Sequence, residues 1–205
     1  MASYPMFVSF YTQSHEVKAM RLKESLDRLG LKHDIISIMS GHEEDPEVDG
    51  LDAIWAMTCR RRSNFILRMM EKHGTVVWLD SDVVVLRPPE LLAQISSRYH
   101  VGISNRPSGL LGGVIWAQPQ SKFFWEMVMD QEDRDEDLRT QKALERCRLE
   151  GIPLHVYPLP ASYQYVPWLM RLESALRPSD VFIVHEMHHS KTVHEDTWAR
   201  WARGI

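Results

Sequence analysis

Apolar positions fall along the chain in short runs suited to strands and in longer runs at helical spacing, separated by glycine and proline. Met6 to Tyr11 is such a short run and predicts a first strand. From His15 to Leu29, the residues Ala19, Leu22, Leu26 and Leu29 share one helical face, and Gly30 stops the helix. Asp34 to Met39 predicts a second strand. Gly41 to Asp52 is acidic and broken by glycine and proline, the pattern of a loop, and a helical region follows as far as His73. Gly74 ends it, and the apolar stretch Val76 to Leu86 predicts a third strand. Pro88-Pro89 closes that strand and opens a short helix, Glu90 to Ser97. Strands are then expected at Val101 to Asn105 and Val114 to Ala117, and helices at Lys122 to Met129 and Asp137 to Glu150.

Strand, helix, strand, helix, strand is the order of an α/β protein with a mostly parallel central sheet flanked by helices. Ligands of open α/β sheets collect outside the carboxyl ends of the strands, where Tyr11-Thr12 and Asp80-Ser81-Asp82 emerge. The first strand leads into neither Gly-x-Gly-x-x-Gly nor a Walker lysine, so dinucleotide and P-loop chemistry are not supported. Phosphate is left to a metal and to side chains.

Asp80 and Asp82 interrupt the apolar stretch from Val76 to Leu86. Burying two unpaired carboxylates costs several kcal/mol each, on the order of the penalty for uncompensated charge, unless a cation or strong donors neutralise them. Hard divalent ions such as Mg2+ and Mn2+ take oxygen ligands, commonly one or two carboxylates plus substrate phosphate. On one continuous strand, residues i and i+2 point the same way, so both carboxylates are expected to meet one ion at the sheet edge.

The chain has 205 residues and a formal net charge of −4, which fits one folding unit and leaves no general footprint for nucleic acid. Two cysteines, Cys59 and Cys147, are too few for a disulfide framework and point to a reducing compartment. The start lacks a basic segment followed by an apolar one, and no apolar run reaches bilayer length. A cytoplasmic protein without a transmembrane segment is expected, with peripheral membrane or partner-protein association left open.

Leu79-Asp80-Ser81-Asp82 followed by Val84-Val85-Leu86-Arg87-Pro88-Pro89 resembles the Asp-x-Asp element of glycosyltransferases of the GT-A fold, a Rossmann-like fold, and especially the small family 8-like nucleotide-diphospho-sugar transferases. Further stretches resemble that family in the same order. The opening Phe7 to Thr12 is similar to its nucleotide-binding strand, which implies that Tyr11 stacks on uracil beside Thr12. Arg62, in Arg62-Ser63-Asn64-Phe65-Ile66-Leu67, stands where the family carries positive charge toward the donor. Leu111-Gly112-Gly113-Val114 resembles the Asn-Ala-Gly-Val segment of the sugar pocket, with Leu111 in place of asparagine and Gly113 at the donor. Asp135-Glu136-Asp137-Leu138 is similar to the acidic segment near the reacting carbon, which implies catalytic roles for Asp135 and Glu136. His185 and Lys191 keep the spacing of the His-x-x-Gly-x-x-Lys-Pro element, with His188 and Thr192 replacing glycine and proline.

The resemblance implies a metal site of Asp80, Asp82 and His185. It further implies a donor site that includes Ser81, His188 and Lys191. Two oxygens and one imidazole suit Mn2+ better than Ca2+. His188, His189 and His194 lack the companions of a zinc motif and read as loop residues near the donor. The implied enzyme is a Mn2+- or Mg2+-dependent, retaining glycosyltransferase that uses a UDP-sugar and a glycan, lipid-linked or protein acceptor. Residues 1–105 would form its nucleotide-binding half and 106–205 its sugar and acceptor half.

Structural readings stand beside these. Tyr11 is also an ordinary strand aromatic, Arg60 to Arg62 a solvated helix face, and Asp133 to Asp137 an acidic helix start. The segment Tyr157 to Leu169, with Trp198 and Trp201, either walls an acceptor site or packs in the core. Asp80-Ser81-Asp82-Val83 also satisfies the first motif of haloacid-dehalogenase-like phosphatases, although no later Gly-Asp-x-x-x-Asp follows. A non-catalytic sugar-nucleotide-binding module is the other alternative.

Overall fold

Alternation along the buried strands sends side chains to two apolar layers, one on each face of a central sheet. The structure, a computed structural model, describes residues 4–38, 51–106, 109–133, 135–167 and 176–186, with side chains left out over 51–60, 105–106, 109 and 178. In chain order the elements are β1 (Met6–Tyr11), α1 (Glu16–Arg28), β2 (His33–Ser37), α2 (Leu51–His73), β3 (Val76–Leu79), β4 (Val83–Val85) and α3 (Glu90–Gln94). They continue with β5 (Val101–Arg106), β6 (Gly109–Ala117), α4 (Lys122–Met129), α5 (Glu136–Glu150), β7 (Val156–Pro158) and β8 (Ile183–His185).

Six strands form the main sheet in the order β2-β1-β3-β6-β5-β7, and only β6 runs against the others. This is the mostly parallel α/β sheet read from the sequence. Val8, Phe10, Trp78 and Ile115 face a layer with Phe65, Ile66 and Met69 of α2, Phe124 and Trp125 of α4, and Ala143 of α5. Phe7, Val77, Leu79 and Val114 face the other layer with Leu22 and Leu26 of α1 and Leu92 of α3. Burying each such large side chain contributes about 1.5–3 kcal/mol.

The first strand and the helix Lys122–Met129 lie where the pattern put them, and α1 is shorter at its ends by a residue each. The expected loop from Gly41 lies, as far as residue 50, outside the described residues, and Leu51 already begins α2. β6 begins at Gly109, well before Val114, because its early residues pair with β5 beyond a register shift at Ile103/Ser104.

The largest departure concerns Val76 to Leu86, which is two strands and not one. β3 stays in the main sheet, Asp80 accepts from the Val83 N–H at 3.1 Å in a tight turn, and β4 then pairs antiparallel with β8 in a separate two-stranded ribbon. The two aspartates therefore sit in a turn at the carboxyl edge. The i, i+2 strand argument does not describe how they meet.

Candidate metal and donor site

Three backbone links build the site. The Asp80 N–H donates to the Gly113 carbonyl at 2.9 Å, which pins the end of β3 to β6. Val83 opposes His185 in the ribbon, and the Glu186 N–H donates to the Asp82 carbonyl at 2.9 Å. The His185 N–H donates to the Tyr165 carbonyl at 2.8 Å. One oxygen each of Asp80 and Asp82 and one ring nitrogen of His185 consequently lie within 4.8 Å of one another. His185 Nε2 stands 3.1 Å from Asp82 Oδ1 and 3.4 Å from Asp80 Oδ2.

Each ligand is held from behind. The Trp78 indole N–H donates to Asp80 Oδ1 at 2.9 Å, leaving Oδ2 toward the histidine. Gln164, fully buried, accepts from the Val114 N–H at 3.2 Å and sets its amide nitrogen 3.5 Å from His185 Nδ1. Lys18 Nζ of α1 lies 3.7 Å from Asp82 Oδ2. Arg21, one turn along α1, donates to both Glu186 carboxylate oxygens at 3.0 and 3.3 Å.

Burial opposes the charge on all three groups, and their partners decide the outcome. Burial pushes the Asp80 carboxyl above the usual carboxylate range against the attraction of His185 and Arg62. Burial acts in the same direction on Asp82, but the His185 hydrogen bond and charge, with Lys18, hold its carboxyl below that range. Burial would lower the His185 pKa, yet Asp82 and then Asp80 keep it above the ordinary imidazole value. Because a carboxylate can only accept, the proton of the His185–Asp82 contact belongs on Nε2, and an ion taken at that nitrogen would displace it. Two carboxylates and one imidazole, convergent and only partly exposed, fit a hard divalent cation of the Mn2+ type.

A second cluster adjoins the first. Arg62 donates to the Gly112 carbonyl at 3.3 Å and to Asp137 Oδ1 at 2.6 Å, and the Gly112 N–H donates to Asp137 Oδ2 at 3.2 Å. Burial works against the Arg62 charge, but Asp137, Glu136 and Asp80 together hold its pKa above the usual arginine value. Glu136 is 1% exposed and accepts from the Ser63 N–H and hydroxyl and from Arg139. Asp135 caps α5, accepting from the N–H groups of Asp137 and Leu138. The acid that faces the Arg62–Gly112 wall is therefore Asp137, whereas Asp135 and Glu136 are engaged in holding α5.

Both glycines are places of close approach. A Cβ on Gly112 would meet Asp137 Oδ1 at 2.3 Å and the Arg62 guanidinium at 2.6 Å, and one on Gly113 would meet His185 Nδ1 at 2.4 Å. Gly113 thus backs the histidine. Tyr11 is half-buried where β1 runs out, Thr12 is buried with Oγ1 3.0 Å from Ser14 Oγ, and Ser81 sits half-buried between the aspartates. His188, His189, Lys191, Thr192, His194, Trp198 and Trp201 lie outside the described residues. Lys18, Trp78, Asp137 and Gln164 were not singled out by sequence. Only Asp137 had a signal there, since an aspartate at a helix N-cap assigns the next two acids to the helix itself.

No protein-family profile and no curated protein sequence matches the chain. Solved structures do share its fold. A glycosyltransferase involved in the glycosylation of the major capsid of PBCV-1 superposes with a TM-score of 0.59 at 17% identity, over 90% of this chain and 93% of that one. The bifunctional glycosyltransferase WbbM matches with a TM-score of 0.62 at 12% identity, over 90% of this chain and 45% of that one. The glycosyltransferase GlyE of Streptococcus pneumoniae TIGR4 matches with a TM-score of 0.63 at 11% identity, over 98% and 60% of the two chains. The chain therefore spans nearly all of the first and much less of the other two. At these identities the likeness is one of fold, the GT-A-like α/β fold of glycosyltransferases. No helix among the described residues is long and apolar enough to cross a membrane.

Proposed function

We propose that the protein is a metal-dependent glycosyltransferase that moves a sugar from a nucleotide-diphospho-sugar, a UDP-sugar foremost, to an acceptor hydroxyl with retention. The observation that carries this reading is the meeting of Asp80, Asp82 and His185 at the carboxyl edge of a sheet shared with glycosyltransferases. Those three residues hold Mn2+ or Mg2+, and when bound such an ion supplies Lewis acidity toward the diphosphate. Tyr11 and Thr12, at the end of β1, receive the base. Asp137 binds a donor-sugar hydroxyl, positioned by Arg62 and by the Gly112 N–H.

The bond from the anomeric carbon to the β-phosphate oxygen breaks, and its electron pair leaves with the nucleotide. The acceptor hydroxyl adds to the same face and passes its proton to the departing phosphate oxygen. No protein base is needed, in keeping with Asp135 and Glu136 being committed to backbone N–H groups, Ser63 and Arg139. Lys191 and His188 are assigned to the diphosphate side of the site by the motif alone.

Calorimetric titration of UDP with and without Mn2+ tests this, with Asp82→Asn as control. Manganese-dependent binding that disappears in the variant is expected. In turnover, the same change should cost about 10^2–10^3-fold, the range for loss of one electrostatic element in a transition state. UDP binding indifferent to Mn2+, or unchanged in the variant, would overturn the reading. Tight donor binding without transfer to any acceptor would instead identify a binding module.

A further inference from the structure

Lys18 Nζ lies 3.7 Å from Asp82 Oδ2, in ion-pair reach of one of the two aspartates. It stands in the first turn of α1, the helix that follows β1 at the carboxyl edge of the sheet. Its place is fixed from two sides. Arg21, three residues on, grips both oxygens of Glu186, and the Glu186 N–H holds the Asp82 carbonyl. The Lys18 side chain is 25% exposed, whereas that of Arg62 is 9% exposed. Arg62, the other cation of the site, has its two terminal nitrogens on Asp137 and the Gly112 carbonyl and points into the wall.

Asp82 thus has two faces. Oδ1 turns to His185 and Oδ2 to Lys18. We infer that Lys18 is a cation of the donor subsite, sharing Asp82 with the divalent ion and turning to the donor's phosphates when the ion takes that carboxylate. The assignment rests on the donor-site reading above and deepens it. An ammonium is a point charge on a flexible stem, suited to following phosphate oxygens from one partner to another, as a rigid guanidinium fork is not. Its proximity to a carboxylate that binds an ion makes it a competitor before the donor arrives and a helper afterwards.

These two roles have opposite signs, and the test uses that. With the full chain freed of metal by a chelator, Mn2+ is titrated first alone; UDP is then titrated at saturating Mn2+. Lys18→Met should bind Mn2+ about three- to fivefold more tightly, the scale of a partly exposed ion pair. It should bind UDP about tenfold more weakly, the scale of one hydrogen bond to a charged group. Lys18→Arg, which keeps the charge but not the compact, flexible donor, should recover only part of the UDP affinity. Unchanged constants, or a parallel loss of both, would overturn the assignment of Lys18 while leaving the donor site standing. If the unaltered chain takes up neither Mn2+ nor UDP, the donor-site reading fails and the assignment with it. An unchanged thermal midpoint in Lys18→Met guards against a folding artefact.

Discussion

Two acid-base clusters lie side by side in this protein and are built on opposite plans. Around Glu136, two carboxylates meet two guanidiniums: Arg139 and Arg62 face Glu136 and Asp137, with Ser63 and the Gly112 backbone completing the hydrogen bonds. Around Asp82, two carboxylates share one imidazole and the edge of one ammonium. The first cluster is neutral within itself and ties α2 to α5. The second is answered by a titratable imidazole and by a partly exposed ammonium, partners that can be given up at an accessible edge. Similar residue types are therefore structural in one place and, on the proposed reading, ion-binding in the other, and the difference lies in which partners answer the carboxylates.

The sharpest way to break this contrast is to remove the acid that is fully answered. Glu136→Gln leaves Arg139 buried without its counter-charge and should cost about 3–5 kcal/mol of stability, the range for breaking a buried pair from one side. Chemical denaturation reads this, and a loss well below 1 kcal/mol would show that the cluster is not a structural tie.

Gly113→Ala attacks the other cluster from behind. The added methyl would press on the His185 ring from 2.4 Å, and overpacking of this kind costs about 1–3 kcal/mol. Mn2+ affinity should fall with it, because the ring turns away from the two aspartates. Unimpaired Mn2+ binding in this variant would remove His185 from the ligand set.

The smallest effect is a slope with pH. Against burial, Asp82 and Asp80 raise the His185 pKa above the unfolded imidazole value of about 6.5. The stability this supplies is fully present below that value and is lost as pH rises through the higher folded pKa. Asp82, with its pKa depressed, contributes stability that is lost only as pH falls through its own lower value. For chelator-treated protein, the denaturation midpoint should decline as pH climbs above 6.5, while Mn2+ uptake improves as Nε2 gives up its proton. His185→Asn should flatten the decline, and an equal slope in that variant would exclude His185 as its source.

Periodicity made the sheet legible because its central strands are buried on both faces and its helices carry one apolar stripe. Asp80 and Asp82 were legible because charge inside an apolar run demands an explanation. The break between β3 and β4 was not, since Val83 to Val85 reads the same whether it extends the main sheet or starts a ribbon with residues a hundred positions away. Lys18 and Arg21 were hidden for the same reason: cations beside the apolar stripe of a helix resemble solvated ones until the facing strand is known. Among Asp135, Glu136 and Asp137, three neighbouring acids take three different roles. Helix phase, not residue type, assigns them.

The ribbon of β4 and β8 consists of three residue pairs, and it brings His185 to Asp82 across 103 positions of chain. So short a ribbon has few strand hydrogen bonds of its own and is held closed also by the burial of Val83, Val85, Ile183 and Val184. An ion that binds the closed form alone adds its own free energy to that closure, increasingly so as its concentration exceeds its dissociation constant. On the proposed reading, metal at this edge would be a latch as well as a Lewis acid, and local opening of the ribbon would become a function of metal supply.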